Sequence, residues 1–139
     1  MNSASGTVAL IGRILLALTF VLAGYNKLGT TAAVAAAMAS RGIPLPGILV
    51  YGAIVLELIG GLMLIAGLYA WWAAGALCLY TLVLALIFHA YWTMSAAEAR
   101  IERGFFFGHL SMIGGMLMVV ALGAGSLSLD AWRRRDADA

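Results

Sequence analysis

The chain has 139 residues, 64% of them hydrophobic and 10% charged, with a formal net charge of +2. A water-soluble domain carries about 25% charged residues, so this composition cannot cover a globule with polar surface, and lipid must be the solvent for most of the outside. The basic residues are scattered apart from Arg133, Arg134 and Arg135, which excludes the basic face needed for nucleic acid binding, and the single cysteine, Cys78, excludes a paired-thiol redox site.

Crossing the hydrocarbon takes about 20 helical residues, and four stretches are long enough. The first is 8–28. Residues 1–7 carry no basic side chain and the apolar run that follows is long, so this segment is expected to be a retained helix and not a cleaved secretory signal. The alanine-rich stretch 31–41 predicts a short interfacial helix, with Gly42 placed to end it and Pro44 and Pro46 breaking the chain before the second span at 47–68. Only residues 67–70 link the second span to the third, at 70–92, which requires a tight antiparallel hairpin. Residues 93–104 hold Glu98, Arg100, Glu102 and Arg103 and are expected to be a solvated loop; the fourth span covers 105–122, and a basic tail occupies 131–139.

The expected fold is therefore all-α: one integral membrane domain of four transmembrane helices, with a short interfacial helix between helices 1 and 2. Gly60 with Gly61, Ala70 with Ala74, and Ser111 with Gly115 supply the small side chains that let helices approach closely in lipid. Tyr25, Tyr51, Tyr69, Trp71, Trp72, Tyr91 and Trp92 fall near span ends, as an aromatic belt does. Four spans put both termini on one side, and the arginine cluster at 133–135 favours the cytoplasmic side.

Ionisable residues inside spans are costly to insert and mark functional or structural sites. Those present are Arg13, Lys27, Glu57, His89 and His109, with Asn26 beside Lys27. At 1.5 Å of rise per residue, Glu57 lies roughly 15 Å from the side carrying the long connections, and Arg13 roughly 8 Å from the opposite side. That difference in height is within reach of an arginine, so Glu57 is expected to pair with Arg13, while Lys27 is placed too near the far surface to reach it. His89 and His109 fall roughly 5 Å below the loop side, next to Asn26 and Lys27. Glu57, His89, His109, Lys27 and Asn26 are thus candidates for a pocket that accepts a polar headgroup such as a quinone. The structural alternative is a Glu57–Arg13 pair with snorkelling histidines and lysine. Two histidines on neighbouring helices also raise haem ligation, but a third ligand and a motif spacing are lacking, so neither haem nor metal is assigned. No catalytic residue is assigned.

The segments GRILLALTFVLAGYNKL in helix 1 (with Gly24-x-x-Lys27-Leu28 at its end), GIPLP at 42–46, ELIGGLMLIAGL at 57–68, IFHAYW at the end of helix 3 and GAGSLSLDAWRRR at 123–135 together resemble the DoxX family of small four-helix membrane proteins. The resemblance covers about residues 10–135. It implies a bacterial or archaeal inner-membrane protein associated with respiratory or sulfur redox systems, the family being named for a subunit of a thiosulfate:quinone oxidoreductase. It implies no catalytic set. The expected function is a quinone-interacting or membrane-anchoring subunit of a redox system, working in the bilayer with a protein partner or as a homo-oligomer. The alternatives are a structural scaffold or assembly factor without a ligand, and an oligomeric small transporter. Stand-alone enzymatic activity is not expected, because the chain has no cofactor motif and no cysteine pair.

Overall fold

The structure is a computed structural model in which residues 3–137 are described. Its elements are α1 (Ser3–Ser40), α2 (Pro46–Ala66), α3 (Ala70–Phe88), a single 3₁₀ turn (Tyr91–Thr93), α4 (Ala96–Leu122) and α5 (Leu129–Ala137). The first four helices are each long and apolar enough to cross a membrane. The protein is an all-α bundle of four such helices with a fifth short helix after them.

The helix predicted over 31–41 is present, but no loop separates it from helix 1. α1 continues through it, broken only at Thr30, whose φ of −126° and ψ of 21° depart from helical values. The cause is local. Thr30 Oγ1 donates to the Asn26 carbonyl at 3.0 Å and Thr31 Oγ1 to the Lys27 carbonyl at 2.8 Å, and hydroxyls that bond back one turn bend a helix. Beyond the bend, Met38 is buried against Val50, Ala53 and Ile54 of α2, with Val34 and Ala35 alongside. Gly42, at φ 73°, then ends the helix.

The main core is formed by Ala17 and Phe20 of α1, Leu64 of α2, Ala74 and Leu77 of α3 and Met116 of α4. Apolar burial gives little drive to association in lipid, so close packing at small residues has to supply it. Gly60 and Gly61 do this on adjacent faces of α2. A methyl group on Gly60 would stand 3.3 Å from the Leu77 side chain of α3, and one on Gly61 would stand 2.7 Å from Val21 and 3.4 Å from the Ala17 carbonyl of α1. Ala70 and Ala74 are buried on α3 as expected. Ser111 is not at such a contact: it is exposed on α4 and donates to the Phe107 carbonyl at 3.0 Å.

Three other boundaries differ from the sequence reading. The third α-helix stops at Phe88, where His89 leaves helical geometry, while the apolar span runs on through the 3₁₀ turn to Thr93. The expected solvated loop at 93–104 is mostly helix: α4 starts at Ala96, because Ser95 and Glu98 form a capping box in which the Glu98 carboxylate accepts from the Ser95 hydroxyl at 2.5 Å and from its backbone N–H at 3.2 Å. The basic tail is also helical, and Asp130 anchors it. Its carboxylate accepts from the backbone N–H groups of Tyr69 (2.8 Å) and Ala70 (2.9 Å), capping α3 from far along the chain, while its own N–H donates to the Gly67 carbonyl at 2.9 Å. Residues 138 and 139 of the expected tail lie outside the described residues.

The α2–α3 hairpin depends on Gly67. Its φ of 66° is left-handed, and a methyl group there would collide with Ser128 and come within 2.8 Å of the Arg13 guanidinium. Gly42 has a similar φ with open space around it. Gly42→Ala should therefore cost about 1 kcal/mol, the left-handed penalty alone, and Gly67→Ala should cost roughly 1–3 kcal/mol more from overpacking. Thermal unfolding of both variants in the same detergent tests this; equal losses would show that the collision at Gly67 is relieved without consequence.

Candidate functional site

Glu57 points into the bundle from the middle of α2 and is 2% exposed. An ionised carboxylate at such a place needs a counter-charge and filled acceptors. Lys27 of α1 supplies the first, with Nζ 2.8 Å from Oε1 and 2.9 Å from Oε2. Tyr80 of α3 donates its hydroxyl to Oε1 at 2.7 Å. Three helices thus meet on one carboxylate.

The partner expected from the sequence was Arg13, and that expectation is wrong. Arg13 donates to the carbonyls of Ala124, Leu127 (2.8 Å) and Ile65 (3.4 Å) at the end where the termini lie. The error came from treating helix 1 as ending at Leu28, which put Lys27 at the surface. α1 is helical up to the bend at Thr30, so Lys27 still faces its neighbour, and its four-carbon stem reaches inward to Glu57 instead of outward to water. Arg13 finds the exposed ends of backbone chains closer to hand; Ile65 lies in the last turn of α2, whose carbonyls have no partner within the helix.

His89 and His109 do come together. Their rings lie 4.6 Å apart between centroids, with Phe105 5.4 Å from His89. His89 Nδ1 is 2.6 Å from Glu102 Oε2. His109 Nδ1 lies 2.8 Å from the Phe105 carbonyl, and since that oxygen can only accept, the proton belongs on Nδ1 and Nε2 is left as an acceptor in the neutral ring. Asn26 is exposed.

Beside the carboxylate lies a cavity of about 240 Å³ lined by Lys27, Tyr80 and His89 on its polar side and by Val34, Met38, Leu84 and Phe88 on its apolar side. Of the five candidates, Lys27 and His89 line it, and Glu57 lies behind Lys27 and Tyr80. His109 and Asn26 are not among the lining residues. An ammonium has three N–H donors, and the Glu57 oxygens take two. Lys27, Tyr80 and His89 therefore present hydrogen-bonding groups to one side of a small cavity whose other wall is hydrocarbon.

The DoxX family model matches residues 8–90. This chain belongs to the DoxX family. Among curated proteins it is similar to inner membrane protein YphA of Escherichia coli (strain K12), 30% identical over 129 residues that cover 93% of this chain and 92% of YphA. It is also similar to inner membrane protein YqjF of the same organism, 31% identical over 121 residues covering 87% of this chain and 88% of YqjF. No solved structure gives a significant match. The part of this DoxX chain that the family model matches contains Lys27, Glu57, Tyr80 and His89; Glu102, His109 and Asp130 lie beyond it.

The geometry gives the two motifs behind the resemblance a physical meaning. Gly24 and Lys27 are three apart on α1 and so share a face. A methyl group on Gly24 would stand 3.1 Å from the Cβ of Glu57, so the glycine lets α2 close in while the lysine one turn later meets the carboxylate. Glu57, Gly60 and Gly61 repeat the arrangement on α2. Two members of the site were not found in the sequence. Tyr80 is in the middle of a span, whereas belt tyrosines stand at span ends, and that displacement is the signal that marks it. Glu102 falls in the expected solvated loop, where the Ser95-x-x-Glu98 capping signature is the signal that the segment is helical.

Lys27→Met leaves Glu57 buried without a counter-charge and should destabilise the protein by about 3–5 kcal/mol. Adding Glu57→Gln should recover most of that loss, since a neutral amide oxygen still accepts from Tyr80. Thermal or denaturant unfolding of the two variants and Glu57→Gln alone measures this, and additive losses would rule out the pairing.

Proposed function

We propose that this DoxX-family membrane protein binds the headgroup of a quinone at the Lys27–Tyr80–His89 cavity, as a membrane subunit of a redox system. The observation that carries this reading is the two-sided lining of the cavity, with the hydrogen-bonding groups of Lys27, Tyr80 and His89 on one wall and Val34, Leu84 and Phe88 on the other. At about 240 Å³ it lies just below the usual range of roughly 300–1,000 Å³ for small-molecule clefts, a size suited to a ring with its tail left in the lipid. A quinone carbonyl is an acceptor, and the third N–H of Lys27 can donate to it, while His89, whose Nδ1 meets Glu102, can accept from a quinol hydroxyl through Nε2. Glu57 fixes Lys27, and Glu102 fixes the ring of His89, so both groups are held before a ligand arrives. Electrons would come from a partner redox protein. The inner-membrane naming of YphA and YqjF supports placement in the bacterial inner membrane, and the arginines of α5 support cytoplasmic termini.

The second reading is a scaffold without a ligand, favoured by one observation: Lys27 and Tyr80 already occupy the Glu57 carboxylate. Titrating the purified protein with a short-chain ubiquinone analogue, followed by quenching of tryptophan fluorescence, separates the two. On the quinone reading the wild type binds saturably, and His89→Ala or Leu84→Trp, which removes a hydrogen-bonding group or fills the cavity, weakens binding at least about tenfold, the worth of one lost hydrogen bond to a charged or polar partner. Absence of saturable binding, or binding indifferent to Leu84→Trp, favours the scaffold.

A further inference from the structure

At the opposite end of the bundle from this cavity, α1 and α4 touch only sparingly. The space between them is an open groove of about 860 Å³, with apolar walls that include Val8, Leu15, Leu16, Met118 and Leu122. Two features set it apart from the rest of the lipid-facing surface. First, Arg13 forms part of the lining while being 2% exposed. Its guanidinium is held by carbonyl oxygens alone, with no carboxylate in ion-pair contact, and its Nε has no hydrogen-bond acceptor among the described residues. The carboxylate that acts on it through space, Asp130, is occupied by the N-terminus of α3. Second, Arg135 donates to the Ser126 carbonyl at 3.2 Å, so two guanidiniums hold the stretch 124–127, whose Ala124 and Gly125 line the groove.

We propose that this groove binds one anionic glycerophospholipid, with an acyl chain between α1 and α4 and the phosphate at the end where Arg13 and Arg135 meet the 124–127 segment. The volume falls within the range of small-molecule clefts, and basic pockets between transmembrane helices are suited to anionic headgroups. A second copy of the chain is the poorer occupant. Copies in one membrane share their orientation, so a neighbour on this face would bring its own Arg133–Arg135 cluster to the same end, like charge against like charge. Gly12 keeps the groove open: a Cβ there meets nothing within 4 Å, so a larger side chain can start into the groove without a backbone clash. The proposal is independent of the quinone reading and involves none of its residues.

The test is native mass spectrometry of protein released from nanodiscs made of equal phosphatidylglycerol and phosphatidylcholine. The wild type should retain one lipid, with phosphatidylglycerol enriched several-fold. Arg135→Gln should lower that enrichment about fivefold, the worth of one arginine beside an anionic headgroup, while a lipid is still retained. Gly12→Phe should abolish retention, and Met118→Trp, at an exposed position on the facing helix, should do the same if Gly12→Phe is not recovered folded. Equal retention of the two lipids, retention undiminished by a folded groove-filling variant, or dimers in place of retained lipid would each overturn the proposal.

Discussion

A carboxylate in the interior of a membrane bundle dictates what its neighbours bring. Glu57 is 2% exposed, and holding it ionised there without partners would cost more than the marginal stability of a small domain. Its two partners come from different helices, Lys27 from α1 and Tyr80 from α3, so the contact that satisfies the charge also fixes the angular setting of both helices around α2. Shape does the rest. Gly24 lets α1 approach at the level of the carboxylate, and Gly60 and Gly61 admit Leu77 and Val21 one turn deeper. The polar contact and the small-residue contacts lie on the same strip of α2, so neither can form without the other. This suits a bundle in lipid, where burying apolar surface does not choose one arrangement over another.

The two ends of the bundle handle polarity differently. At the loop end, Lys27 pairs with Glu57 and His89 Nδ1 meets the Glu102 carboxylate, and Lys27, Tyr80 and His89 line a small cavity. At the terminal end, Arg13 is held by backbone carbonyls, with no contact anion among the described residues. α4 accounts for the difference in shape. It packs along α3, contributes Met116 as its buried residue and scarcely meets α1. The bundle is closed where the charges are paired and open where one is not.

Much of this was legible from residue types and spacing. Composition and four apolar stretches sufficed for the membrane bundle, the loop-side clustering of Lys27, His89 and His109, and the glycine contacts of α2. What was missed has a common origin in helix ends. Placing the end of helix 1 at Leu28 moved Lys27 to the surface and left Arg13 as the only cation in reach of Glu57. Treating 93–104 as loop hid Glu102 from His89. Treating 131–139 as a plain basic tail hid the cap that Asp130 places on α3. Each was a long-range partnership decided by where a helix begins or ends, and hydropathy is nearly silent there. Tyr80 escaped for a different reason: a single hydroxyl in an apolar run looks like core until the carboxylate opposite it is seen.

The reach of Asp130 bears on biogenesis. The N-terminus of α3 is capped by a residue some sixty positions later in the chain, and the guanidinium of α1 is satisfied by carbonyls beyond the end of α4. While the ribosome is still making α4, the nascent bundle therefore holds an uncapped helix and an arginine without its main acceptors, both on the terminal side. These groups must be held by water or lipid headgroups until α4 has crossed and delivered residues 124–130 to that same side. A chain whose fourth helix entered the wrong way round would deliver them across the bilayer, leaving both positions unmet, so these contacts form only when α4 crosses in the correct sense.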